Sequence, residues 1–268
     1  MIYDEVADFA EKRQFVKDFL DYLAPFSEGI SNWRTLEIGG GGGVLAALLA
    51  QHFGTVLSTD IVNPNFKHDG RLTTLLAEKF ERNSEMFRKE RIEFLAADAQ
   101  RLQFRDNWFD LCFSQNALEH IPDPEMAFRE AVRVTRPGGM VYFQFDPVWT
   151  ADSGSHFVDQ IGEPWLHLLE EDDALIARMS AAGADSETIN AFQKEMNRRP
   201  ISYYREMFPR VIRQLNLEII IHHEWSGTID QSWTEHPNLL KAAAAVGLPP
   251  QDLLVRGLRY LVRVPIDK

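Results

Sequence analysis

The sequence predicts an α/β fold in which seven strands form a mostly parallel sheet with helices on both faces. Apolar, strand-like runs alternate with helix-favouring segments along most of the 268 residues, and parallel strands need crossovers that place helices on the sheet. Five consecutive glycines, residues 39–43, join the first strand to the first helix. This junction is expected at the carboxyl edge of the sheet, where open α/β folds bind ligands.

Four segments are predicted in chain order. Residues 1–30 form an N-terminal helical segment, a docking helix or a flap, because apolar side chains recur at three- and four-residue spacing. The core segment, residues 31–146, has predicted strands at 35–38, 55–59, 92–96, 110–114 and 140–145 and predicted helices at 44–52, 71–89 and 124–134. Residues 217–268 complete the sheet with predicted strands at 217–222 and 258–264, separated by a helical stretch around 238–246.

The segment between them, residues 147–216, is mostly helical and rich in aromatic side chains. Because it follows the fifth strand directly, we expect a helical cap insertion over the substrate pocket. Aromatic rings there would make the pocket partly apolar and exclude water, although about half of them are expected to form the cap's own core. These rings belong to Trp149, Phe157, Trp165, Phe192, Tyr203, Tyr204 and Phe208.

The composition excludes several classes of protein. A net charge of −12 argues against a surface that binds nucleic acid or anionic lipid, and a single cysteine, Cys112, cannot form an intrachain disulfide or a cysteine-based metal cluster. No apolar stretch approaches the roughly 18 residues of a membrane span, and the first residues lack a signal peptide's pattern. We therefore expect a cytoplasmic protein, a monomer or homodimer, that acts on a small molecule.

The glycine run admits three interpretations. A P-loop requires Lys-Ser or Lys-Thr after the last glycine, and Val44-Leu45 stand there instead. A dinucleotide site requires G-x-G-x-x-G or its alanine variant, which Gly41, Gly43 and Ala46 satisfy. The third frame is E-x-G-x-G-x-G, which begins at Glu37. A carboxylate at the strand end suits a cationic, zwitterionic ligand and is unfavourable beside a pyrophosphate.

A second stretch distinguishes these interpretations. Residues 94–143 contain "FLAADA", "NWFDLCF" and "TRPGGMVYF" in order, downstream of the glycine frame. Together these motifs resemble the class I S-adenosylmethionine-dependent methyltransferases, in particular their small-molecule, type 11-like branch. The resemblance covers roughly residues 33–146 and implies a Rossmann-like sheet. It also implies that the turn at residues 136–139 ends a helix and leads into the fifth strand.

The resemblance implies which residues bind S-adenosylmethionine and its product, S-adenosylhomocysteine. The glycine frame would lie under the methionine and ribose, and an acidic residue after the second strand would accept the ribose hydroxyls. The next residue would pack on the adenine, an Asp-Ala pair after the third strand would meet the adenine edge, and the fourth strand would line the methionine end. The corresponding residues are Glu37, Gly39, Gly41, Gly43, Asp60, Ile61, Asp98, Ala99, Ser114 and Gln115, with Asn116 beside them.

Methyl transfer from a sulfonium mainly requires alignment of the acceptor, and a general base is needed only where the acceptor atom carries a proton. His156, in the cap, is the preferred base, with His120 and Asp146 as further catalytic candidates. Glu119 could replace them, although a structural role is favoured for it, and His222 and His223 are weaker candidates. No acidic cluster at ligand spacing is found, so no metal is expected.

The sequence therefore predicts methyl transfer to a small or medium-sized acceptor, by O-methylation of a sugar or secondary metabolite. Carbon or nitrogen methylation, of a quinone precursor or an amino sugar, is the alternative within enzymes. A non-catalytic S-adenosylmethionine-binding regulatory protein also remains open, because the motifs indicate binding and not turnover. A dehydrogenase is disfavoured by Glu37 and by the turn at residues 136–139.

Overall fold

The structure is a computed structural model that describes residues 5–226 and 234–266. Parts of the predicted terminal segments, residues 1–4, 227–233 and 267–268, lie outside the described residues. The strands are β1 (Arg34–Ile38), β2 (Thr55–Asp60), β3 (Ile92–Ala96), β4 (Phe109–Gln115), β5 (Thr135–Phe145), β6 (Glu218–Trp225) and β7 (Gly257–Arg263). The α-helices are α1 (Glu5–Leu23), α2 (Val44–Leu49), α3 (Pro64–Lys67), α4 (Leu72–Arg82), α5 (Pro124–Val134), α6 (Val158–Ile161), α7 (Asp172–Ala181), α8 (Ser186–Lys194), α9 (Ile201–Gln214), α10 (Pro237–Val246) and α11 (Pro250–Leu253).

The seven strands form one sheet in the order β3-β2-β1-β4-β5-β7-β6, with helices on both faces. Strand β1 pairs in parallel with β2 and β4, β2 pairs in parallel with β3, and β6 and β7 pair antiparallel. The predicted fold class is confirmed. The chain runs outward from β1 to β3 and then returns to β4 on the other side of β1. The carboxyl ends of β1 and β4 therefore flank a topological switch point, a place where open α/β sheets bind ligands.

The predicted turn at residues 136–139 is wrong, because these residues lie within β5, which begins at Thr135. Proline and glycine usually interrupt strands, which is why the sequence indicated a turn. Here the N–H of Gly138 donates to the carbonyl of Val264 at 2.9 Å, and the N–H of Val264 donates to the carbonyl of Gly139 at 2.9 Å. This pairing continues the strand although Gly138 is left-handed, with φ of 76°.

The chain forms two compact units. The first comprises Met1–Gln115, Glu130–Val141 and Val264–Lys268, and the second comprises Asn116–Arg129 and Tyr142–Arg263. The segment boundaries at residues 30, 146 and 216 stay predictions. None of the helices in the described part of the chain has both the length and the apolar character needed to cross a bilayer.

Within the first unit, α1 is docked and is not a free flap. The ring of Phe9 meets that of Phe80 edge-on, with centroids 5.1 Å apart, and the ring of Phe19 lies 5.8 Å from that of Phe113 on β4. Both α1 rings are almost completely buried. Burying a phenylalanine contributes about 1.5–3 kcal/mol, so these two contacts hold the N-terminal helix in place.

Within the second unit, most of the aromatic rings named above serve the core. Trp165, Phe192, Tyr204 and Phe208 are each at most 1 % exposed. Tyr203 is half-buried while its neighbour on α9 is buried, as expected for adjacent helical residues that point to different faces. Tyr203 is therefore the more accessible of the two.

Candidate active site

The glycine run contains three left-handed residues at alternate positions. Gly39, Gly41 and Gly43 have φ angles of 75°, 49° and 73°, whereas Gly40 and Gly42 lie outside the left-handed region. Only glycine adopts these angles without strain. The three residues are those of the E-x-G-x-G-x-G frame, so the backbone requires glycine where that frame places it.

The loop is crowded at one point and open at the next. A β-carbon at Gly40 would overlap the hydroxyl of Ser58 and the carboxylate of Glu37, whereas one at Gly41 or Gly42 would meet nothing within 4 Å. The backbone of Gly40 thus covers a buried polar pair, and the next two residues leave space for a ligand to approach the main chain.

Glu37 lies inside the unit beneath this loop, with 2 % of its surface exposed. The hydroxyl of Ser58 donates to Glu37 Oε2 at 2.5 Å. Burial raises the pKa of Glu37 to about 7, opposed by the hydrogen bond from Ser58 and assisted by the charge of Asp60. A cationic ligand group beside this carboxyl would favour its ionised form.

Asp60 and Ile61 follow at the end of β2. Asp60 Oδ2 accepts a hydrogen bond from the N–H of Gly41 at 3.1 Å, and Oδ1 lies 3.6 Å from Lys67 Nζ. Each carboxylate oxygen can accept a further bond, so the side chain can still meet the hydroxyls of a ribose. Ile61 is 68 % exposed, an apolar surface that a flat base could cover.

Asp98 and Ala99 form a turn directly after β3. Asp98 Oδ1 accepts from the backbone N–H of Gln100 at 2.9 Å and from its side-chain amide at 3.0 Å. These bonds fix the direction of the Asp98 side chain, which is exposed, while Ala99 is half-buried. The pair is therefore held in one conformation and is open to a ligand.

The two residues that end β4 differ in what they can do. Ser114 is fully buried, and its hydroxyl donates to the carbonyl of Ile38 at 2.9 Å. Ser114 therefore joins β4 to β1 and does not present its hydroxyl to a ligand, unlike the predicted role. Gln115 is half-buried and stays a candidate for cofactor contact.

The second unit brings together residues that are distant in sequence. Glu119 and His120 lie on a short 3₁₀ turn, Leu118–His120, and His156 lies just before α6. One ligand-type atom from each of these three residues lies within 4.8 Å of the others. The two imidazole rings are 5.1 Å apart between centroids, and His120 Nε2 is 3.9 Å from Glu119 Oε1. We call these three residues the Glu-His-His cluster.

Glu119 is the buried member of the cluster. It is 2 % exposed, and neither carboxyl oxygen has a hydrogen-bond partner among the described residues. Burial, and to a smaller degree the charge of Asp146, raises the pKa of Glu119 to about 8. A buried polar group without a partner costs about 1–3 kcal/mol. The sequence favoured a structural role for Glu119, and the structure adds that its carboxyl is buried without a hydrogen-bond partner among the described residues.

His156 is held in a conformation that non-glycine residues rarely adopt. Its φ is 66°, and its N–H donates to the carbonyl of Ser153 at 2.8 Å. His156 is exposed. Desolvation by the surrounding protein, and to a smaller degree the charge of His120, nevertheless lowers the pKa of His156 to about 4. The imidazole is therefore neutral at pH 7 and carries a free lone pair. Such backbone strain concentrates at functional sites.

The tautomer of His120 follows from its partner. His120 Nδ1 lies 3.0 Å from the carbonyl oxygen of Glu195, and a carbonyl can only accept. Nδ1 therefore carries the proton, which leaves the lone pair of a neutral ring on Nε2, the atom near Glu119.

Asn197 fixes the turn that carries Glu119 and His120. Its side-chain amide donates to the carbonyls of Leu118, at 2.7 Å, and Ile121, at 2.9 Å. Its oxygen accepts from the hydroxyl of Tyr204 at 3.2 Å. Asn197 is not among the residues predicted from the sequence, because nothing in its own neighbourhood indicates a contact with residues almost 80 positions earlier.

The remaining predicted catalytic residues make contacts outside the Glu-His-His cluster. Asp146 accepts from Trp225 Nε1 at 2.9 Å and from Arg256 Nε at 2.7 Å, so both of its oxygens are engaged. Its charge still acts on Glu119. The two histidines of β6, residues 222 and 223, are exposed and stack on neighbouring aromatic rings. Neither of these two belongs to the Glu-His-His cluster.

Comparison with known proteins agrees with the geometry of the glycine loop. Residues 36–143 match the family described as methyltransferase domain, a range that contains the glycine frame, Asp60 and Asp98. This match supports a class I S-adenosylmethionine-dependent methyltransferase domain within residues 36–143. The dinucleotide interpretation of the glycine run is thereby set aside.

Relatives of this methyltransferase domain match over a short stretch. A protein of Mycobacterium sp. (strain JLS), named only as an uncharacterised methyltransferase, is 41% identical over 63 residues, which are 24% of this chain and 25% of that protein. A Mycobacterium tuberculosis (strain ATCC 25177 / H37Ra) protein with the same name is 40% identical over 63 residues, 24% of each chain. The matched stretch thus spans about a quarter of these relatives' length.

A solved structure shows that the likeness in fold extends over nearly the whole chain. A protein of Galdieria sulphuraria, provisionally named a sarcosine dimethylglycine methyltransferase, superposes with a TM-score of 0.51. The superposition covers 94% of this chain and 86% of that one, at 14% identity. A likeness at this level of identity concerns the fold.

Proposed function

We propose that this protein transfers a methyl group from S-adenosylmethionine to a hydroxyl oxygen of a small or medium-sized acceptor, a sugar or another secondary-metabolite framework. The observation that carries the proposal is the coincidence of the three left-handed glycines with the E-x-G-x-G-x-G frame. It is supported by the family match over residues 36–143. S-adenosylmethionine, when bound, supplies an electrophilic methyl group and leaves as the neutral thioether S-adenosylhomocysteine.

The first unit contains suitable groups for each part of that cofactor. The open backbone at Gly41 and Gly42 would admit the methionine and ribose, and Asp60 would accept the ribose hydroxyls. Ile61 would cover one face of the adenine, and Asp98 would accept from its amino group. Glu37 would act from below the loop, where its charge favours a cationic ligand.

The second unit contains groups suited to a hydroxyl. In the Glu-His-His cluster two imidazoles and a buried carboxyl face one another, and a hydroxyl acceptor needs a hydrogen-bond acceptor for its proton. We assign to this cluster the binding of the acceptor's hydroxyl and the removal of its proton. This role agrees with the catalytic candidates His120 and His156 and adds Glu119 to them.

The proposal is tested with purified protein and S-adenosylmethionine that carries an isotopically labelled methyl group. The acceptors are hydroxylated sugars and phenolic polyketides, with amino sugars and quinone precursors as the comparison set. Label in a hydroxyl-bearing product, together with S-adenosylhomocysteine, supports the proposal. Label only in nitrogen- or carbon-methylated products contradicts it, and cofactor binding without transfer to any acceptor indicates a regulatory binding protein.

A further inference from the structure

The Glu-His-His cluster has the composition of a metal site. Its ligand-type atoms lie within 4.8 Å of one another, whereas two ligands of a tetrahedral ion with bonds of about 2.1 Å are roughly 3.4 Å apart. The Glu119 Oε1 to His120 Nε2 distance of 3.9 Å is already close to that value. Small rotations of the side chains would therefore bring the three atoms to one ion.

Two further observations point to a ligand at this place. Both oxygens of the buried Glu119 carboxyl lack a hydrogen-bond partner within residues 5–226 and 234–266, and burial without compensation is unfavourable. His120 donates Nδ1–H to the carbonyl of Glu195. Metal-bound histidines almost always donate their other ring N–H in this way, which fixes the ring and aims the lone pair.

The surrounding charges also favour a cation. Asp146 acts electrostatically on both Glu119 and His156. Arg256 also acts on His156, as do His120 and His167, and Arg256 is paired with Asp146 at 2.7 Å. When a bound cation ionises Glu119 and the histidines are neutral, Glu119, Asp146 and Arg256 sum to one net negative charge, so a divalent cation gains from the local field.

We propose that Glu119, His120 and His156 bind a divalent transition-metal ion of the Zn²⁺ class. Two imidazoles and one carboxylate, with further positions left open, are the donor set of catalytic Zn²⁺ and of non-haem Fe²⁺ sites. Mg²⁺ and Ca²⁺ prefer oxygen ligands and are disfavoured by the two imidazoles. The expectation from sequence, that no metal is bound, arose because residues 119–120 and 156 are widely separated along the chain.

The chemical consequence rests on the proposed function, but the binding itself does not. A hydroxyl that coordinates a cation has a lowered pKa. An acceptor hydroxyl coordinated at this site would therefore lose its proton to solvent more readily, and this is how the cluster would promote removal of the proton. His120 and His156 would then serve as ligands.

The experiment is titration of the metal-free 268-residue protein with Zn²⁺ alone, with bound metal quantified after equilibrium dialysis. Co²⁺ is used in parallel, because its visible absorption reports the ligand geometry. The variants are Glu119→Gln, which preserves shape, and His156→Asn, because asparagine tolerates a left-handed backbone. His223→Ala, on the exposed face of β6, is the matched control, and circular dichroism verifies that each variant is folded.

We expect one tightly bound Zn²⁺ per chain, about a tenfold or larger loss of affinity in each cluster variant, and unchanged affinity in the control. Zn²⁺ should also raise the melting temperature of the wild-type protein more than Mg²⁺ does. Equal Zn²⁺ binding by wild-type protein and folded cluster variants would overturn the proposal, as would the absence of saturable binding. Methyl transfer by protein that binds no metal would overturn this inference and leave the proposed function intact.

Discussion

The hydroxyl of Ser58 donates a hydrogen bond to the buried carboxyl of Glu37, with an oxygen-to-oxygen distance of 2.5 Å. Gly40 passes so close above this pair that no side chain fits there. The acidic residue and the glycine loop are thus one packed arrangement. Burial in this arrangement raises the pKa of the Glu37 carboxyl to about 7.

Replacing Glu37 with glutamine should stabilise the free protein and weaken cofactor binding. The folded-state pKa lies above the ordinary value of 4.5, so folding takes up a proton and stability falls as pH rises from about 4.5 to about 7. Glu37→Gln removes that loss, which amounts to roughly 2–4 kcal/mol. We expect its free energy of unfolding, relative to wild type, to grow between pH 5 and pH 8 in urea titrations.

An exposed glutamate serves as the control for this measurement. Glu93 lies exposed on β3, so Glu93→Gln should follow the wild-type stability curve. The same Glu37→Gln protein should bind S-adenosylhomocysteine about tenfold more weakly, because the charge beneath the loop is lost. A pH-independent difference in stability, or unchanged cofactor affinity, would contradict the role given to Glu37.

Alanine at the two non-motif glycines should have unequal effects. Gly40→Ala forces a β-carbon into the Ser58 and Glu37 side chains and should cost about 1–3 kcal/mol. Gly42→Ala meets nothing within 4 Å and should change stability by less than about 0.5 kcal/mol. Urea denaturation of the two variants measures this difference. Equal destabilisation would mean that the described loop packing is incorrect.

Asn197→Ala should destabilise the turn that carries Glu119 and His120. The substitution removes two donated hydrogen bonds, to Leu118 and Ile121, and leaves their carbonyls without these partners. We expect a loss of about 2–4 kcal/mol, measured by thermal unfolding. Asn190→Ala, at an exposed position of α8, is the matched control and should have almost no effect. A loss no larger than that of the control would show that Asn197 does not hold the turn.

His156→Asn should lower turnover by roughly 10²- to 10⁴-fold, while affinity for S-adenosylhomocysteine stays within about a factor of two. The reason is that His156 belongs to the second unit's cluster and not to the glycine loop. Single-turnover kinetics with a hydroxyl acceptor and calorimetry with the product measure the two effects separately. Undiminished turnover would return His156 to a structural role.

The sequence was most informative where function depends on neighbouring residues. The glycine frame, Asp60 and Asp98 each lie within one strand-to-loop junction, so local spacing is enough to select them as candidates. Strand β3 and helix α5 were predicted with their observed bounds. The contact of Ser114 could not be predicted from local sequence. Its partner, the carbonyl of Ile38, lies on another strand, and only the register between strands decides which way the hydroxyl points.

The second unit was harder to predict for the same physical reason. Glu119 was given a structural role because its burial, and the absence of partners for its carboxyl, depend on the three-dimensional environment. Asn197 contacts the turn at residues 118–121 although it lies 76 to 79 positions further along the chain, and no periodicity in the sequence indicates that contact. The strand assignment at residues 136–139 likewise depends on pairing with Val264, which overrides the local preference of proline and glycine.

Isothermal titration calorimetry with S-adenosylhomocysteine tests whether the first unit binds S-adenosylmethionine, with NAD as the comparison ligand and Asp60→Ala as the variant. We expect saturable binding of S-adenosylhomocysteine with one site per chain, about 1–3 kcal/mol weaker in Asp60→Ala, and no binding of NAD. Tight binding of NAD, or affinity for S-adenosylhomocysteine that is the same in wild type and Asp60→Ala, would contradict this expectation.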